Sequence, residues 1–185
     1  MPSLIHLNGP PGIGKSTLAA LYADRHPGTL DLDIDALHRF VGGWQDAVHD
    51  THAVLRPVAR AMAATHLEGG RDVVLPQYLA RLPEIEAFEG VATGAGAAFV
   101  EVVLLDDRAP SIERFDRRPA DSDWEQHNRR VVAEQGGPQM LADMYDRLVA
   151  VVARRPGAVV VRSRHGAVED AYEDLVRAVT SSSAH

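Results

Sequence analysis

Apolar residues recur along this chain in two rhythms that alternate from one end to the other. Short continuous or alternating runs at 4–8, 29–33, 73–75, 98–105 and 159–161 have the length and the Val, Ile and Leu content of strands. Between them lie longer stretches with apolar positions three and four apart. These predict a helix at 18–25, a helical turn at 35–40, and helices at 51–68, 83–91, 111–117, 121–135, 138–154 and 168–179. In the 51–68 segment the apolar face is Leu55, Val58, Ala59, Met62 and Leu67, and Pro57 is expected to mark the helix's true start or a kink. His26-Pro27-Gly28, Gly69-Gly70, Pro76 and Gly136-Gly137-Pro138 punctuate the elements. Strands that alternate with helices predict an α/β fold, a parallel sheet covered on both faces. No repeat and no linker divides residues 1–185, so one domain is expected, with a frayed tail at 180–185.

Parallel sheets of this kind bind ligands beyond the carboxyl ends of their strands. The segments to inspect are therefore 9–17, 33–35, 76–78, 106–108 and 162–165. The first is decisive. Gly9-Pro10-Pro11-Gly12-Ile13-Gly14-Lys15-Ser16-Thr17 is a complete G-x-x-x-x-G-K-[ST] sequence, set between a strand and a helix. Its glycines let consecutive backbone N–H groups turn toward phosphate oxygens, and the helix N-terminus adds partial positive charge. Lys15 is expected to reach the β- and γ-phosphates and Ser16 to ligate Mg²⁺, so the cofactors implied are ATP and Mg²⁺.

Composition sharpens this picture at one point. Of the 19 basic residues all are Arg except Lys15, so the sole ammonium side chain falls inside the phosphate motif. The net charge of −7 works against broad attraction to polyanions, and nucleic acid is not an expected partner. No apolar run approaches the roughly 20 residues that span a bilayer. With no cysteine there is neither a disulfide nor a thiolate metal site. A cytoplasmic protein is expected, and the oligomeric state is left open.

Asp33-Ile34-Asp35 follows the second predicted strand, where two carboxylates can serve a Mg-phosphate centre. One can hold the metal, and the other can take the proton of an attacking hydroxyl. Asp33 is assigned to the metal with Ser16, and Asp35 to the base, although Asp35 could equally cap the helical turn that follows. His38, Arg39, Gln77 and Tyr78 fall near the acceptor pocket. The histidines, His38 and His52 among them, show no metal-ligand spacing.

The phosphate motif, the Asp-x-Asp after strand two and the Arg-rich segment after strand four together resemble the small P-loop kinases. That group includes shikimate and gluconate kinases, chloramphenicol phosphotransferase, zeta-toxin kinases and small kinases classed with AAA-type ATPases. The resemblance implies a five-stranded sheet in the order 2-3-1-4-5 and a helical lid at about 112–137. It implies that Asp35 meets the substrate hydroxyl and that Arg114, Arg117 and Arg118 act as lid arginines on the transferring phosphate. Arg129 and Arg130 are further lid candidates. Arg162 and Arg164 follow strand five, where such kinases place the adenine. Relatives often end strand three with an acid or a Gly-rich turn. This chain has Pro76-Gln77-Tyr78, which shifts the magnesium role toward Asp33, and its Val-Leu-Pro-Gln is similar to the tunicamycin-resistance type of P-loop protein.

The function expected is transfer of the γ-phosphate of ATP to a hydroxyl of a small metabolite or antibiotic. A nucleotide-binding regulatory module and a nucleoside-monophosphate kinase gripping its acceptor with Arg39, Arg56 or Arg81 are the alternatives. A GTPase is disfavoured because no Asn-Lys-x-Asp sequence occurs.

Overall fold

A computed structural model describes residues 1–45, 50–117, 122–164 and 166–182. In chain order these form β1 (Ser3–Asn8), α1 (Lys15–Arg25), β2 (Leu30–Asp31), α2 (Ile34–Leu37), a 3-10 turn (His38–Phe40), α3 (Thr51–Glu68) and β3 (Val73–Leu75). They continue as α4 (Leu82–Gly94), β4 (Ala98–Leu105), α5 (Arg108–Arg117), α6 (Asp123–Glu134), α7 (Pro138–Val152), β5 (Val159–Arg162) and α8 (Val168–Ser182). The five strands are parallel in the order β2-β3-β1-β4-β5, as the resemblance implied. No helix among the described residues is long and apolar enough to cross a membrane.

Strand periodicity explains the layering. Successive side chains alternate between faces, so Ile5, Leu7 and Val74 turn toward α1 and α8, where Leu18, Tyr22, Ala171 and Leu175 complete one core. Leu4, Val73 and Leu75 turn the other way, toward α3 and α4, and bury Leu55, Ala59, Leu67, Ile85 and Phe88 in a second. Burial on both faces is why the strands read as nearly continuous apolar runs. Glu101, which interrupts the run in β4, is buried on this second side and accepts a 2.8 Å bond from Arg155 Nε. A second nitrogen of the same guanidinium donates to Glu89 at 2.8 Å. Pairing with an arginine removes the penalty of an isolated buried charge.

Two expectations change. Pro57 does not start α3, which begins six residues earlier at Thr51, where the Asp50 side chain accepts the Ala53 N–H at 3.1 Å. A good cap outweighs the one ladder bond that Pro57 cannot make to the Ala53 carbonyl. The helix expected at 111–117 begins already at Arg108, because Arg108 to Pro110 continue it N-terminally rather than forming a loop.

His6 points from β1 into the buried interior, where its Nε2 lies 2.9 Å from the Gln77 carbonyl and its Nδ1 has no partner among the described residues. Burial, with smaller contributions from Lys15 and Arg155, lowers its pKa to about 4. The unfolded chain therefore binds this proton at a pH where the folded chain does not. Stability from His6 is complete above the unfolded value of 6.5 and is lost as pH falls toward 4. His38 acts with the same sign, while Asp31 and Asp35, whose carboxyls are raised, act with the opposite one. The stability difference between wild type and His6→Gln isolates the term. Wild type should lose about 3 kcal/mol relative to the variant between about pH 7 and pH 4 in denaturant titrations.

Candidate active site at the phosphate loop

The loop after β1 is folded by its glycines. Gly12 has φ 80° and Gly14, the N-cap of α1, has φ 107°, a region that side-chain-bearing residues rarely adopt. A Cβ on Gly12 would sit 3.1 Å from both the Cα and the N of Phe115, so α5 leaves room for the loop only if this residue is glycine. Gly12→Ala is expected to cost about 1–3 kcal/mol of stability and to weaken nucleotide binding. Phe115→Ala should not rescue it, because the obstacle is backbone. Thermal melts and nucleotide titrations of the single and double variants test this.

Ile13 buries its side chain in the core while its carbonyl accepts the Ser163 hydroxyl at 2.9 Å, tying the loop to the end of β5. Lys15 Nζ donates to the carbonyls of Gly9 and Pro10 at 2.9 and 3.0 Å, which brings the ammonium back over the loop. No side chain caps α1, whereas Asp33, Asp50 and Ser122 cap α2, α3 and α6. No side-chain cap therefore competes with an anion at the start of α1, which fits a phosphate chain.

A cleft of about 780 Å³ opens from this loop. Gly12, Gly14, Lys15, Ser16 and Thr17 line one end, and Asp33 and Asp35 stand beside them. Hydroxyl and carboxylate oxygens from Ser16 and Asp33 are a donor set suited to Mg²⁺. Asp33, not Asp35, caps α2: its Oδ1 accepts the Asp35 N–H at 3.0 Å. This leaves the Asp35 carboxylate for the cleft, where Trp124 and Gln77 donate hydrogen bonds to it. Burial first, then the neighbouring Asp33 charge, pushes its pKa up to about 6 against the pull of Lys15.

The far wall is aromatic. His38 stacks on Trp124 at 4.1 Å between ring centroids, meets His52 edge-on at 4.6 Å, and Trp44 closes on Trp124 at 5.8 Å. His127 also stacks on Trp124, at 5.7 Å. Burial and the neighbouring His52 and His127 lower the His38 pKa to about 4, so that ring is neutral at pH 7, and burial and Arg56 lower that of His52. His38, Arg39, Gln77 and Tyr78 all line the cleft, and the Tyr78 hydroxyl donates to the Met144 carbonyl at 2.9 Å.

Arginine placement departs from the sequence reading. Arg114 does not line the cleft. Its guanidinium donates to Asp106 at 2.6 Å and to the Ser163 carbonyl at 2.7 Å, clamping the ends of β4 and β5. Arg117 is exposed and pairs along its own helix with Glu113 at 3.1 Å. Arg162 is exposed and pairs with Asp107 at 3.3 Å, and Arg164 is exposed beyond β5. Arg118 lies outside the described residues. Arg129 does line the cleft, carried there on α6 with Trp124 and Asn128. Gly9 sits behind the loop, where a Cβ would meet the Leu104 carbonyl at 2.7 Å.

Sequence reading missed Trp124, His52 and Asn128. Trp124 is one of only two tryptophans, a residue rarely spent on a polar surface helix, and that scarcity was the available signal.

A family model of the AAA domain matches residues 4–137. The chain belongs to the AAA domain family. No functionally curated protein matches it. Among solved structures it is similar to the tunicamycin resistance protein of Deinococcus radiodurans, at 16% identity over 97% of this chain and 96% of that one, with a TM-score of 0.61. It is similar to a gluconokinase of Sinorhizobium meliloti at 18% identity, with 97% and 95% covered and a TM-score of 0.60. It also resembles the APS kinase CysC of Mycobacterium tuberculosis at 16% identity, with 97% of each chain covered and a TM-score of 0.56. At these identities the likeness establishes the fold, which is that of the small P-loop kinases.

Proposed function

We propose that this member of the AAA domain family is an ATP- and Mg²⁺-dependent phosphotransferase acting in the cytoplasm on a hydroxyl of a small molecule, a metabolite or an antibiotic. The observation that carries the reading is Asp35, a carboxylate raised to about 6, lining the same cleft as the phosphate loop. At neutral pH such a group is mostly ionised yet close enough to its pKa to accept a proton efficiently.

In this reading the loop N–H groups and Lys15 hold the phosphate chain, and Lys15 leaves its two carbonyl partners for phosphate oxygens. Mg²⁺, when bound by Ser16 and Asp33, neutralises charge on the phosphates. Asp35, held by Trp124 and Gln77, orients the acceptor hydroxyl and receives its proton. The acceptor oxygen bonds the γ-phosphorus as the bond to the ADP oxygen breaks. Arg129 takes over the task expected of Arg114 and Arg117, since it lines the cleft and they do not.

Of the three arginines that could grip an acceptor phosphate, Arg39 lines the cleft, while Arg56 and Arg81 are engaged by one carboxylate. Arg56 donates to Glu84 at 2.7 Å, and Arg81 pairs with the same carboxylate. With two of the three held by Glu84, a nucleoside monophosphate would have Arg39 for its phosphate, which makes the hydroxyl acceptor the first reading to test. Incubating the protein with ATP, Mg²⁺ and a panel of hydroxylated metabolites and antibiotics, with products read by mass, tests the proposal. One added phosphate on an acceptor is expected. ATP turnover with no acceptor modified across the panel would favour a regulatory module.

A further inference from the structure

Asp35 and His38 come from one segment and His52 from the next helix, and each presents a ligand atom within 4.8 Å of the other two. Asp35 and His38 stand on successive turns of the α2 segment, and His52 stands in the first turn of α3, which packs against it. His38 is 2% exposed, and among the described residues neither of its ring nitrogens has a hydrogen-bond partner. The Nδ1 of His52 is also buried and unpartnered. Buried polar atoms normally find a partner, and three orphaned imidazole nitrogens beside one carboxylate lack what would satisfy them. Two imidazoles and a carboxylate are a donor set for late first-row divalent ions. Mg²⁺ prefers oxygen ligands throughout, and its expected position at Ser16 and Asp33 is chemically distinct.

We propose that Asp35, His38 and His52 form a second metal site, one that takes a borderline-soft divalent cation such as Zn²⁺. Metal–ligand bonds of about 2.0–2.2 Å place ligand atoms roughly 3.3 Å apart, so the three groups close inward by about an ångström on binding. Trp124 and Gln77, already bonded to Asp35, fix the orientation of the carboxylate as outer-sphere partners do in metal sites. Three protein ligands leave a coordination position facing the cleft. The ion and an acceptor hydroxyl share Asp35, but the site stands on its own geometry and does not depend on phosphotransfer.

Both tryptophans of the chain border the site, Trp124 against His38 at 4.1 Å and Trp44 at 6.5 Å from it, so the tryptophan emission reports on it. The full chain, free of nucleotide, is titrated with Co²⁺, whose open d shell quenches nearby indoles. Saturable quenching with one ion per chain is expected, reversed by Zn²⁺ and unaffected by excess Mg²⁺. His52→Ala should weaken it by about tenfold or more, and Asp35→Asn likewise, with circular dichroism confirming that each variant is folded. Quenching that fails to saturate, that Mg²⁺ reverses, or that persists unchanged in a folded His52→Ala or Asp35→Asn variant overturns the site.

Discussion

Lys15→Ala is expected to lower phosphoryl transfer by about 10³-fold or more and to weaken nucleotide binding, because removing one preorganised donor from a developing charge alone costs about 10²–10³. Lys15 is the only lysine in the chain, so no neighbouring ammonium can substitute. In the structure it is held over the loop by the carbonyls of Gly9 and Pro10, and the variant removes the ammonium together with its charge, so no unpaired charge is left behind. Folding should therefore survive. Turnover and nucleotide titration measure the effect, and wild-type turnover in this variant would remove the phosphate-loop reading.

Asp35→Asn should lower turnover by about 10²–10⁴, the usual worth of a positioned general base, with ATP affinity near wild type. Asparagine keeps the shape of the side chain and loses only its charge and basicity. The cap of α2 is untouched because Asp33 provides it, so a loss of activity separates chemistry from structure. Asp33→Asn should behave differently, with a defect partly relieved by raised Mg²⁺. If Asp35→Asn keeps full turnover while Asp33→Asn is inactive, the two roles are exchanged. If both remain active, the acceptor base lies elsewhere.

The elements that local sequence specifies were legible. Glycine and proline punctuation located β3 and β4 to the residue, and the spacing of apolar positions located the span of α3, although Pro57 lies inside that helix and does not start it. The phosphate loop was legible because its chemistry depends on consecutive residues. What escaped was anything assembled by packing across the sheet. His38 and His52 meet because the α2 segment lies against the start of α3, and no spacing along the chain announces that. Trp124 reaches Asp35 from a helix almost ninety residues away in the sequence, and an amphipathic pattern on α6 gives no direction for its exposed side. The arginines misled for the opposite reason. Arg114 looked available beside other arginines, but its partners, Asp106 and the Ser163 carbonyl, arrive from the ends of two different strands.

The tie between Ser163 and Ile13 bears on how binding energy is spent. Ser163 is itself gripped through its carbonyl by Arg114, so the phosphate loop, β5 and α5 are joined through one buried serine. The loop's N–H groups are aimed by the completed fold and not by the arrival of phosphate. Their conformational entropy is surrendered during folding, and a ligand meeting them gives up mainly its own freedom. Such a cradle is preorganised, which makes nucleotide capture a matter of encounter and exchange at Lys15. Adjustment is left to the opposite wall, where the ring side chains of the 3-10 turn and of α6 line the cleft.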